Sequence, residues 1–378
     1  MERDESLTLL CLGHMRWDHV WQRPQQLMSR FAQRCPVIYV DPSQIVNDED
    51  RLYLQEQPGA CGVRVLRPIF PNDILDTPGH NYRELWFSLL PEVLAEAGPN
   101  TILWVSSPLA NYLVAAALPH VKFAVYDCMD DLASFRDGNE MMREREAHLL
   151  TLVELLFTGG HSMYEARRTR HPRVHCFPSG VDIAHYRRAQ GTAEAEPAPL
   201  AWIPRPRLGY FGVLDERIDW PLIATIAEER PKWHWVLVGP TAKMHPSEIP
   251  GGPNLHYLGQ QAYAELPAYL RGFDIATMPF ALNAATRFIS PTKTLEYLAG
   301  GKPVISSSVP DVAAFYRKIV TLADGPEAWI EAIEHLLAAT PAEQQARLEL
   351  AEPILEANTW DSIAARMWEL MQERLARA

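Results

Sequence analysis

Short apolar runs that suit β-strands alternate along this chain with amphipathic stretches that suit helices. This alternation is typical of βαβ units, in which helices connect parallel strands. Two such series follow one another. The first contains predicted strands at 7–12, 37–40, 63–66, 101–105, 123–126, 155–158 and 174–177. The second contains predicted strands at 207–211, 235–238, 256–258, 275–278, 304–306 and 319–322. The pattern predicts an α/β fold with two mainly parallel sheets.

The length of the chain agrees with two domains. A single hydrophobic core seldom supports 378 residues, because domains usually hold about 50 to 200. Between the two series the chain reads GTAEAEPAPLAWIPRP, which is rich in Pro and Ala and shows neither hydrophobic period. We predict a first domain at 1–190, a linker at 191–206, a second domain at 207–358, and a C-terminal helix at 359–378 that packs back on the domains.

Composition argues against several other classes of protein. A formal net charge of −12 and an isoelectric point near 5.6 give no broad field that would attract nucleic acid. The five cysteines are widely spaced and contain no Cys-x-x-Cys pair, which argues against a disulfide framework and a zinc site. No apolar run approaches the roughly 18 residues of a membrane span, and the sequence starts without a signal-peptide pattern. We expect a cytoplasmic protein.

The segment SPTKTLEYLAGGKPVIS at 290–306 predicts one short helix followed by a buried strand. Pro291 suits the first turn of the helix, and the two glycines near its end suit its termination. Lys293 and Glu296 stand three residues apart on a ridge away from the apolar face. A second helix is predicted to open at Ser162 with Glu165 three residues on, which is the pattern of a capping box.

The start of the 290–306 helix has the chemistry of a nucleotide-diphosphate site. Amides near Ser290 and Thr292 would bind phosphate oxygens, because the first amides of a helix lack partners within it. Lys293 would neutralise a diphosphate, and Glu296 would accept hydrogen bonds from ribose hydroxyls. The alternative is a capped surface helix with an ordinary Lys/Glu pair.

Polar residues also follow strands of the first series. His14 comes after the first strand, and Asp127, Asp130 and Asp131 come after the strand at 123–126. Ligands bind open α/β sheets at the carboxyl ends of the strands, so these side chains should face a cleft. Asp130 or His14 would act there as general base toward an acceptor hydroxyl. Turn and N-cap duty is the alternative for the aspartates, and a satisfied loop position is the alternative for the histidine.

The segment between the first strand and the first helix is rich in aromatic and polar side chains. We predict that Trp17 and Arg23 contact that acceptor together with His14 and Asp131, and that Trp21 and Gln25 assist. Aromatic rings at such spacing are otherwise core residues, which is the alternative.

Several motifs in this order resemble the retaining family 4 glycosyltransferases of GT-B fold. The motifs are FPSGVD at 177–182, GYFGVLDERIDW at 209–220, WVLVGP at 235–240, HYLGQ at 256–260, GFDIATMPF at 272–280 and the helix at 290–306. In the first domain, HMRWDHVWQRPQQLMSRFA at 14–32 and VYDCMDD at 125–131 resemble the transferases of cell-surface polysaccharide synthesis, in particular the teichuronic acid type.

The resemblance implies two Rossmann-like domains that face each other across a cleft. It implies transfer of a sugar from a nucleoside diphosphate sugar to a glycan or lipid-linked acceptor, with retention of configuration, no metal and no further cofactor. Lys293 and Arg217 would stabilise the departing diphosphate. The donor-binding residues would be Gly212, Arg217, Gly239, Leu258, Ser290, Pro291, Thr292, Lys293 and Glu296.

Two positions depart from that family's pattern. The family carries two glutamates eight residues apart, and Phe288 stands where the first is expected. Val213 replaces the arginine that commonly follows the glycine of the donor-domain loop, so that Arg217 is the nearest cation, with Arg287 as a further candidate. A non-catalytic paralogue that binds nucleotide sugars and a GT-B sugar-nucleotide epimerase are the rival interpretations. The oligomeric state is left open.

A basic run follows the predicted capping box. Its members are Arg167, Arg168, Arg170, His171, Arg173 and His175. Such a face would attract anionic lipid and predicts peripheral contact with the inner face of a membrane. A solvated helix end is the alternative.

Overall fold

The buried apolar runs form two sheets in the computed structural model, which describes residues 3–47, 49, 51–72, 81–191, 196–242 and 244–377. The strands of the first sheet are β1 (Thr8–Leu12), β2 (Val37–Val40), β3 (Gln44–Val46), β4 (Tyr53–Gln57), β5 (Val63–Pro71), β6 (Thr101–Val105), β7 (Phe123–Cys128), β8 (Leu155–Thr158) and β9 (Val174–Cys176). Their order is β3-β5-β2-β1-β6-β7-β8-β9, and β4 pairs with β5. That last pair is antiparallel, whereas the other pairs of the sheet are parallel.

The second sheet has the strand order of a doubly wound Rossmann domain. Its strands are β10 (Arg207–Phe211), β11 (His234–Val238), β12 (Leu255–Tyr257), β13 (Ile275–Met278), β14 (Val304–Ser306) and β15 (Thr321–Leu322). The order is β12-β11-β10-β13-β14-β15, and each recorded pair is parallel. Numbered within the domain, this is the order 3-2-1-4-5-6 of nucleotide-binding folds. The predicted α/β fold with two mainly parallel sheets is confirmed.

Helices connect these strands and cover the faces of both sheets. The α-helices are Arg23–Phe31, Tyr82–Ala97, Asn111–Ala117, Glu140–Leu152, His161–Arg167, Ile183–Arg187, Ala198–Ala201, Trp220–Glu229, Leu266–Gly272, Thr292–Ala299, Pro310–Phe315, Pro326–Ala338, Pro341–Ala357 and Trp360–Leu375. Short 3₁₀ turns lie at Pro108–Ala110, Leu118–His120, Leu132–Ser134, Arg188–Gln190, Pro246–Glu248, Tyr263–Glu265 and Ala284–Thr286.

The last helix returns to the first sheet. Trp360, Met367 and Trp368 of the helix Trp360–Leu375 are buried in the same apolar cluster as Phe31 and residues of β1 and β6. The rings of Phe31 and Trp368 lie 6.1 Å apart. The preceding helix, Pro341–Ala357, contributes to the core of the second sheet instead. The end of the chain therefore crosses from one domain to the other.

Two features of the fold differ from the sequence-based expectation. Strands β3 and β4 were not predicted, because their residues are mostly exposed or half-buried and form no apolar run. The predicted capping box at Ser162 is wrong. Gly160 is the N-cap of the helix His161–Arg167, and the Ser162 hydroxyl has no hydrogen-bond partner in the described residues. A carboxylate from the second domain, that of Asp311, binds the first amides of this helix.

The predicted linker at 191–206 contains the short helix Ala198–Ala201, and its residues 192–195 lie outside the described part of the chain. The first sheet ends at β9, and the second sheet begins at β10. The predicted limits of the domains stay a prediction.

Candidate functional site

A cavity lies between the carboxyl ends of the parallel strands of the two sheets, where ligands bind in open α/β folds. One wall consists of residues 20–26 and the segment after β7. The other consists of the loops after β10 and β11 and the start of the helix Thr292–Ala299. The residues predicted from the sequence that line it are Arg23, Asp130, Gly212, Arg217, Gly239, Ser290, Pro291, Thr292, Lys293 and Glu296.

Two glycines allow the loops after β10 and β11 to approach each other. Gly212 and Gly239 have φ angles of +142° and +148°, a region that favours glycine. A Cβ at Gly239 would overlap the carbonyl oxygen of Gly212, and a Cβ at Gly212 would overlap the side chain of Lys293. The lysine therefore lies directly over the first loop of the second sheet. A side chain at either glycine would displace it or the loop.

The helix Thr292–Ala299 begins at the cavity wall, with Pro291 as its N-cap residue. Its first amides have no partners within the helix, and the helix dipole places partial positive charge there. The Lys293 ammonium lies 5.5 Å from the centre of the Tyr210 ring. Burial lowers the pKa of Lys293, and the nearby Glu296 carboxylate opposes that shift. The amides and the ammonium together form a site for an anion.

Glu296 lies one turn further along the same helix, close to a tyrosine from elsewhere in the chain. This is Tyr186, on the helix Ile183–Arg187. Burial raises the pKa of Glu296 to about 7, and Lys293 and Tyr186 both act against this rise. The side chains of Glu296 and Tyr186 both line the cavity. The fold therefore places a tyrosine hydroxyl beside the carboxylate.

Arg217 reaches the cavity from the loop after β10 while paired with Asp215. Its Nη2 lies 2.7 Å from Asp215 Oδ2, and its Nε donates to Oδ1 at 3.0 Å. The guanidinium carbon lies 5.6 Å from the centre of the Phe135 ring, which belongs to the first domain. The two-point ion pair fixes the plane of the guanidinium. The cation is thereby presented to the cavity in one orientation.

Asp130 and His14 lie on the opposite side, in the first domain. Asp130 lines the cavity, and its charge acts on His14, Arg217 and Lys293. His14 is half-buried beside the cavity, and its Nδ1 lies 2.8 Å from the Ser106 hydroxyl. Burial lowers the pKa of His14, which the Asp130 carboxylate partly offsets. A neutral imidazole can accept a proton near neutral pH.

Arg23 lines the cavity, but its guanidinium is buried and bonded to other residues of the protein. Its Nη2 lies 2.7 Å from Asp127 Oδ1, and the two side chains are only 3% and 2% exposed. Its Nη1 donates to the carbonyl oxygen of Phe177 at 2.8 Å. These bonds join the helix Arg23–Phe31 to β7 and to the residue after β9. Acceptor contact by Arg23 stays a prediction.

Several predicted residues lie away from the cavity wall, among them Gln25, which is buried. Trp17 is 6% exposed, and its ring centre lies 5.1 Å from that of Tyr39 in the core. Asp131 pairs with Arg167 at 3.2 Å. Leu258 packs against the core of the second sheet. The burial of Trp17 matches the core role that was its alternative, and Arg167 occupies the Asp131 carboxylate. Acceptor contact by Trp17 and by Asp131 stays a prediction.

The sequence did not predict Tyr186 or Asp215. Asp215 had a local signal, since it lies two residues from Arg217 and a carboxylate at that spacing can pair with the cation across a turn. Tyr186 had none, because its contact with Glu296 depends on how distant segments pack. Trp21, predicted only as an assisting residue, lines the cavity.

Phe288, at the position of the missing glutamate, contacts the first domain. It is half-buried and packs against the apolar cluster formed by β7, β8 and neighbouring helices. The guanidinium carbon of Arg167 lies 5.9 Å from the centre of its ring, and that of Arg287 lies 5.1 Å away. Arg287 is exposed and is not in the cavity wall. This position therefore joins the two domains.

The arginines of the basic run are paired with carboxylates. The pairs are Arg167 and Arg170 with Glu146, Arg168 with Glu165, and Arg173 with Glu154. His171 is buried, with Nε2 3.1 Å from the Val153 carbonyl oxygen. No described helix combines the length and apolar character needed to cross a bilayer. Contact of this face with a membrane stays a prediction.

The fold is shared with solved glycosyltransferases. Sucrose-phosphate synthase of Thermosynechococcus elongatus superposes with a TM-score of 0.70 at 16% identity, over 98% of this chain and 100% of that one. A structure titled trehalose-6-phosphate from E. coli, bound with UDP-2-fluoro glucose, gives 0.69 at 12% identity, over 97% and 99%. HepE of Anabaena, in complex with UDP and glucose, gives 0.66 at 14%, over 96% and 99%. The chain therefore has the GT-B fold.

Sequence comparisons relate the chain to one group of glycosyltransferases. Residues 205–339 match the family model described as glycosyl transferases group 1. The putative teichuronic acid biosynthesis glycosyltransferase TuaH of Bacillus subtilis (strain 168) is 24% identical over 281 residues, which cover 68% of this chain and 69% of TuaH. The second domain therefore resembles a group 1 glycosyltransferase domain. The predicted class of enzyme, a glycosyltransferase of GT-B fold that uses a nucleotide sugar, is confirmed.

Proposed function

We propose that the protein transfers a sugar, with retention of configuration and without a metal, from a nucleoside diphosphate sugar to a hydroxyl of a glycan or lipid-linked saccharide. The observation that carries this proposal is the convergence of Lys293, Arg217 and the start of the helix Thr292–Ala299 on one cavity, opposite Asp130. Solved structures of the same fold with UDP-2-fluoro glucose, or with UDP and glucose, support the choice of donor.

The donor half of the cavity matches the charge that develops in this reaction. The bond between the anomeric carbon and the diphosphate oxygen breaks, and negative charge grows on the diphosphate. Lys293, Arg217 and the helix amides are fixed in place before the reaction, so they stabilise that charge without reorganising. Glu296 accepts hydrogen bonds from the ribose hydroxyls, and Tyr186 lies beside its carboxylate.

The acceptor half supplies a proton acceptor. As the acceptor oxygen bonds to the anomeric carbon, its proton passes to a base or to the departing phosphate oxygen. Asp130 faces the cavity, and His14 lies beside it with a lowered pKa. The lowered pKa of His14 meets the requirement that a base be unprotonated near the working pH. Asp130 is the stronger candidate because it belongs to the cavity wall.

The proposal assigns the neutralising role to protein cations, and the donor is a co-substrate, so no further cofactor takes part. The described residues contain no group of three or more His, Cys, Asp or Glu side chains that could hold a metal ion. We propose a cytoplasmic location, with the lipid-linked form of the acceptor reached from the inner face of a membrane.

The test begins with thermal shifts for wild type against UDP, GDP, ADP, CMP and dTDP, with and without their sugars, because a ligand of the native state raises its stability by mass action. Lys293→Ala and Glu296→Ala should lose the shift that one diphosphate produces. Lys318→Ala is the matched control, because Lys318 is exposed and lies outside the cavity wall.

Turnover with the identified donor, in the presence and absence of a chelator, then tests the metal-free reaction. NMR of the product's anomeric centre tests retention.

A non-catalytic nucleotide-sugar-binding protein is the second candidate, and one observation favours it. Phe288, which packs against the first domain, leaves no carboxylate at a position that the family uses near the transferred sugar. Nucleotide binding that is lost in both cavity variants, with no turnover on a wide panel of acceptors, would support this candidate. No shift for any nucleotide would contradict both.

A further inference from the structure

A second groove on the first domain gathers cations and aromatic rings. It lies outside the cavity between the domains and is formed by the helices Tyr82–Ala97, Asn111–Ala117 and Glu140–Leu152 with the turn after β6. Its lining includes Tyr82, Arg83, Leu109, Tyr112, Arg145 and His148.

The two arginines of this groove differ from most arginines of the protein. In the described part of the chain, neither Arg83 nor Arg145 has a carboxylate or another hydrogen-bond acceptor for its guanidinium. Arg143, on the same helix as Arg145, lies 2.8 Å from the Glu140 carboxylate. Both guanidinium groups line one groove, and the described residues supply no counter-ion for either, on a protein with a formal net charge of −12. Such a pair of cations suits an external anion.

The cations are held by aromatic rings. The guanidinium carbon of Arg83 lies 5.1 Å from the centre of the Phe87 ring and 5.3 Å from that of Tyr112. Burial raises the pKa of Tyr112 to about 12, and the charges of Arg145 and Arg83 both act against that rise, so both lie near its hydroxyl. Cation–π contact fixes Arg83 without using its N–H donors. The donors remain available to a ligand.

The turn after β6 lies between this groove and His14. His14 lies 2.8 Å from Ser106, at the end of β6, and Leu109 in the next turn lines the groove. The helices that begin at Tyr82 and Asn111 both follow strands whose carboxyl ends lie on the cavity side of the sheet. The turn after β6 therefore separates the surroundings of His14 from the groove.

We propose that this groove binds an anionic group, a carboxylate or a phosphate, of the saccharide acceptor. Arg83 and Arg145 form charge-assisted hydrogen bonds with the anion, as guanidinium groups do with planar carboxylates and with phosphates. The hydroxyls of Tyr82 and Tyr112 donate to the same ligand, and their rings pack against its sugar. The inference rests on the proposed function, since it names the chemical class of the acceptor.

The experiment measures the affinity of three probes for the full chain by NMR or calorimetry. The probes are a uronic-acid disaccharide, the same disaccharide with its carboxylate reduced to a hydroxymethyl group, and a sugar phosphate. The variants are Arg83→Gln, Arg145→Gln and the double variant, and Arg143→Gln is the matched control. We expect the uronic-acid disaccharide or the sugar phosphate to bind. Each single groove variant should lose about tenfold in affinity, because the loss of a hydrogen bond to a charged group changes the dissociation constant by about that factor. Arg143→Gln should bind as wild type does.

The two anionic probes distinguish the sources of the anion. Preference for the acid indicates a uronic-acid glycan, and preference for the sugar phosphate indicates the phosphate of a linked saccharide. Equal affinity for the neutral disaccharide, or anion binding that the double variant retains, would overturn the proposal. So would binding to anionic vesicles that the double variant loses while the saccharides do not bind. Thermal shifts with the nucleotides are measured on wild type and on the same variants. If no nucleotide shifts wild type, the proposed function is contradicted, whereas the measured affinity of the groove for anions is unaffected.

Discussion

The carboxylate of Asp311 accepts a hydrogen bond from the backbone N–H of His161 at 2.8 Å, although one residue follows β14 of the second sheet and the other follows β8 of the first. The N–H of Ser162 donates to the same carboxylate at 2.9 Å. The His161 ring stacks on that of Phe315, with 4.0 Å between their centres. Nearby, the Ser179 hydroxyl donates to the carbonyl oxygen of Ser290 in the cavity wall at 2.8 Å. These contacts tie the start of the helix Thr292–Ala299 to the first domain.

Replacement of Asp311 should separate the domains. Asp311→Ala leaves two amides at the start of the helix His161–Arg167 without their acceptor, and we expect a loss of about 1–2 kcal/mol in the free energy of unfolding. Urea unfolding measures that loss, and small-angle scattering measures the expected increase in radius of gyration. Asp311→Asn is the control, because its amide oxygen can still accept one bond. An Asp311→Ala protein with unchanged stability and scattering would contradict an interdomain role.

Substitution of Phe288 should affect turnover more than nucleotide binding. Phe288→Ala removes a half-buried ring from the contact with the first domain, whereas the proposed nucleotide site belongs to the second domain. We expect kcat to fall by about tenfold, because small misplacements of reacting groups are costly, and the Kd for the diphosphate to change less than twofold. Phe288→Leu, which keeps apolar volume, should retain most activity. If Phe288→Glu raised kcat instead, the position would contact the transferred sugar.

The buried pair of Arg23 and Asp127 should be essential for stability. Either Arg23→Ala or Asp127→Ala leaves a charge buried without its partner, and we expect a loss of about 3–5 kcal/mol in the free energy of unfolding. The double variant Arg23→Leu with Asp127→Leu should recover part of that loss, since no charge remains buried. Urea unfolding of the three variants completes a double-mutant cycle. Near-wild-type stability of Arg23→Ala, with weakened acceptor binding, would instead support its predicted contact with the acceptor.

Glu296 should make stability and nucleotide binding depend on pH with opposite signs. Its pKa in the folded protein is raised from 4.5 to about 7. Its contribution to stability is therefore complete below about pH 4.5 and is lost as the pH rises through about 7. The ribose hydroxyls need the ionised carboxylate, so we expect nucleotide affinity to rise between about pH 6 and about pH 8, with release of a proton on binding.

Calorimetry in two buffers of different ionisation enthalpy counts that proton. Glu296→Gln should abolish its release and flatten the part of the pH dependence that does not arise from the phosphates of the nucleotide. Equal proton release by wild type and by Glu296→Gln would mean that Glu296 does not change its ionisation when nucleotide binds.

The sequence determined the elements of the fold and the local chemistry of the donor site. Hydrophobic period and the glycines and prolines that end each element are local properties, and they placed the central strands and the helix Thr292–Ala299. Lys293 and Glu296 could be assigned to one ridge because helix geometry fixes residues three apart. The glycines at 212 and 239 could be placed in loops at the cavity edge because they directly follow buried strands.

Only the tertiary structure decided which polar groups are satisfied by one another. Arg23 pairs with Asp127, Tyr186 lies near Glu296, and Asp311 caps the helix that begins at His161. In each case the partners are far apart in sequence. Such pairs depend on the packing of the sheets and on the angle between the domains, which no local pattern specifies. Burial likewise directed Trp17 to the core, although its residue type suits either a core or a sugar site. Strand and helix are properties of a few consecutive residues, whereas the partner of a charge is set by the whole fold.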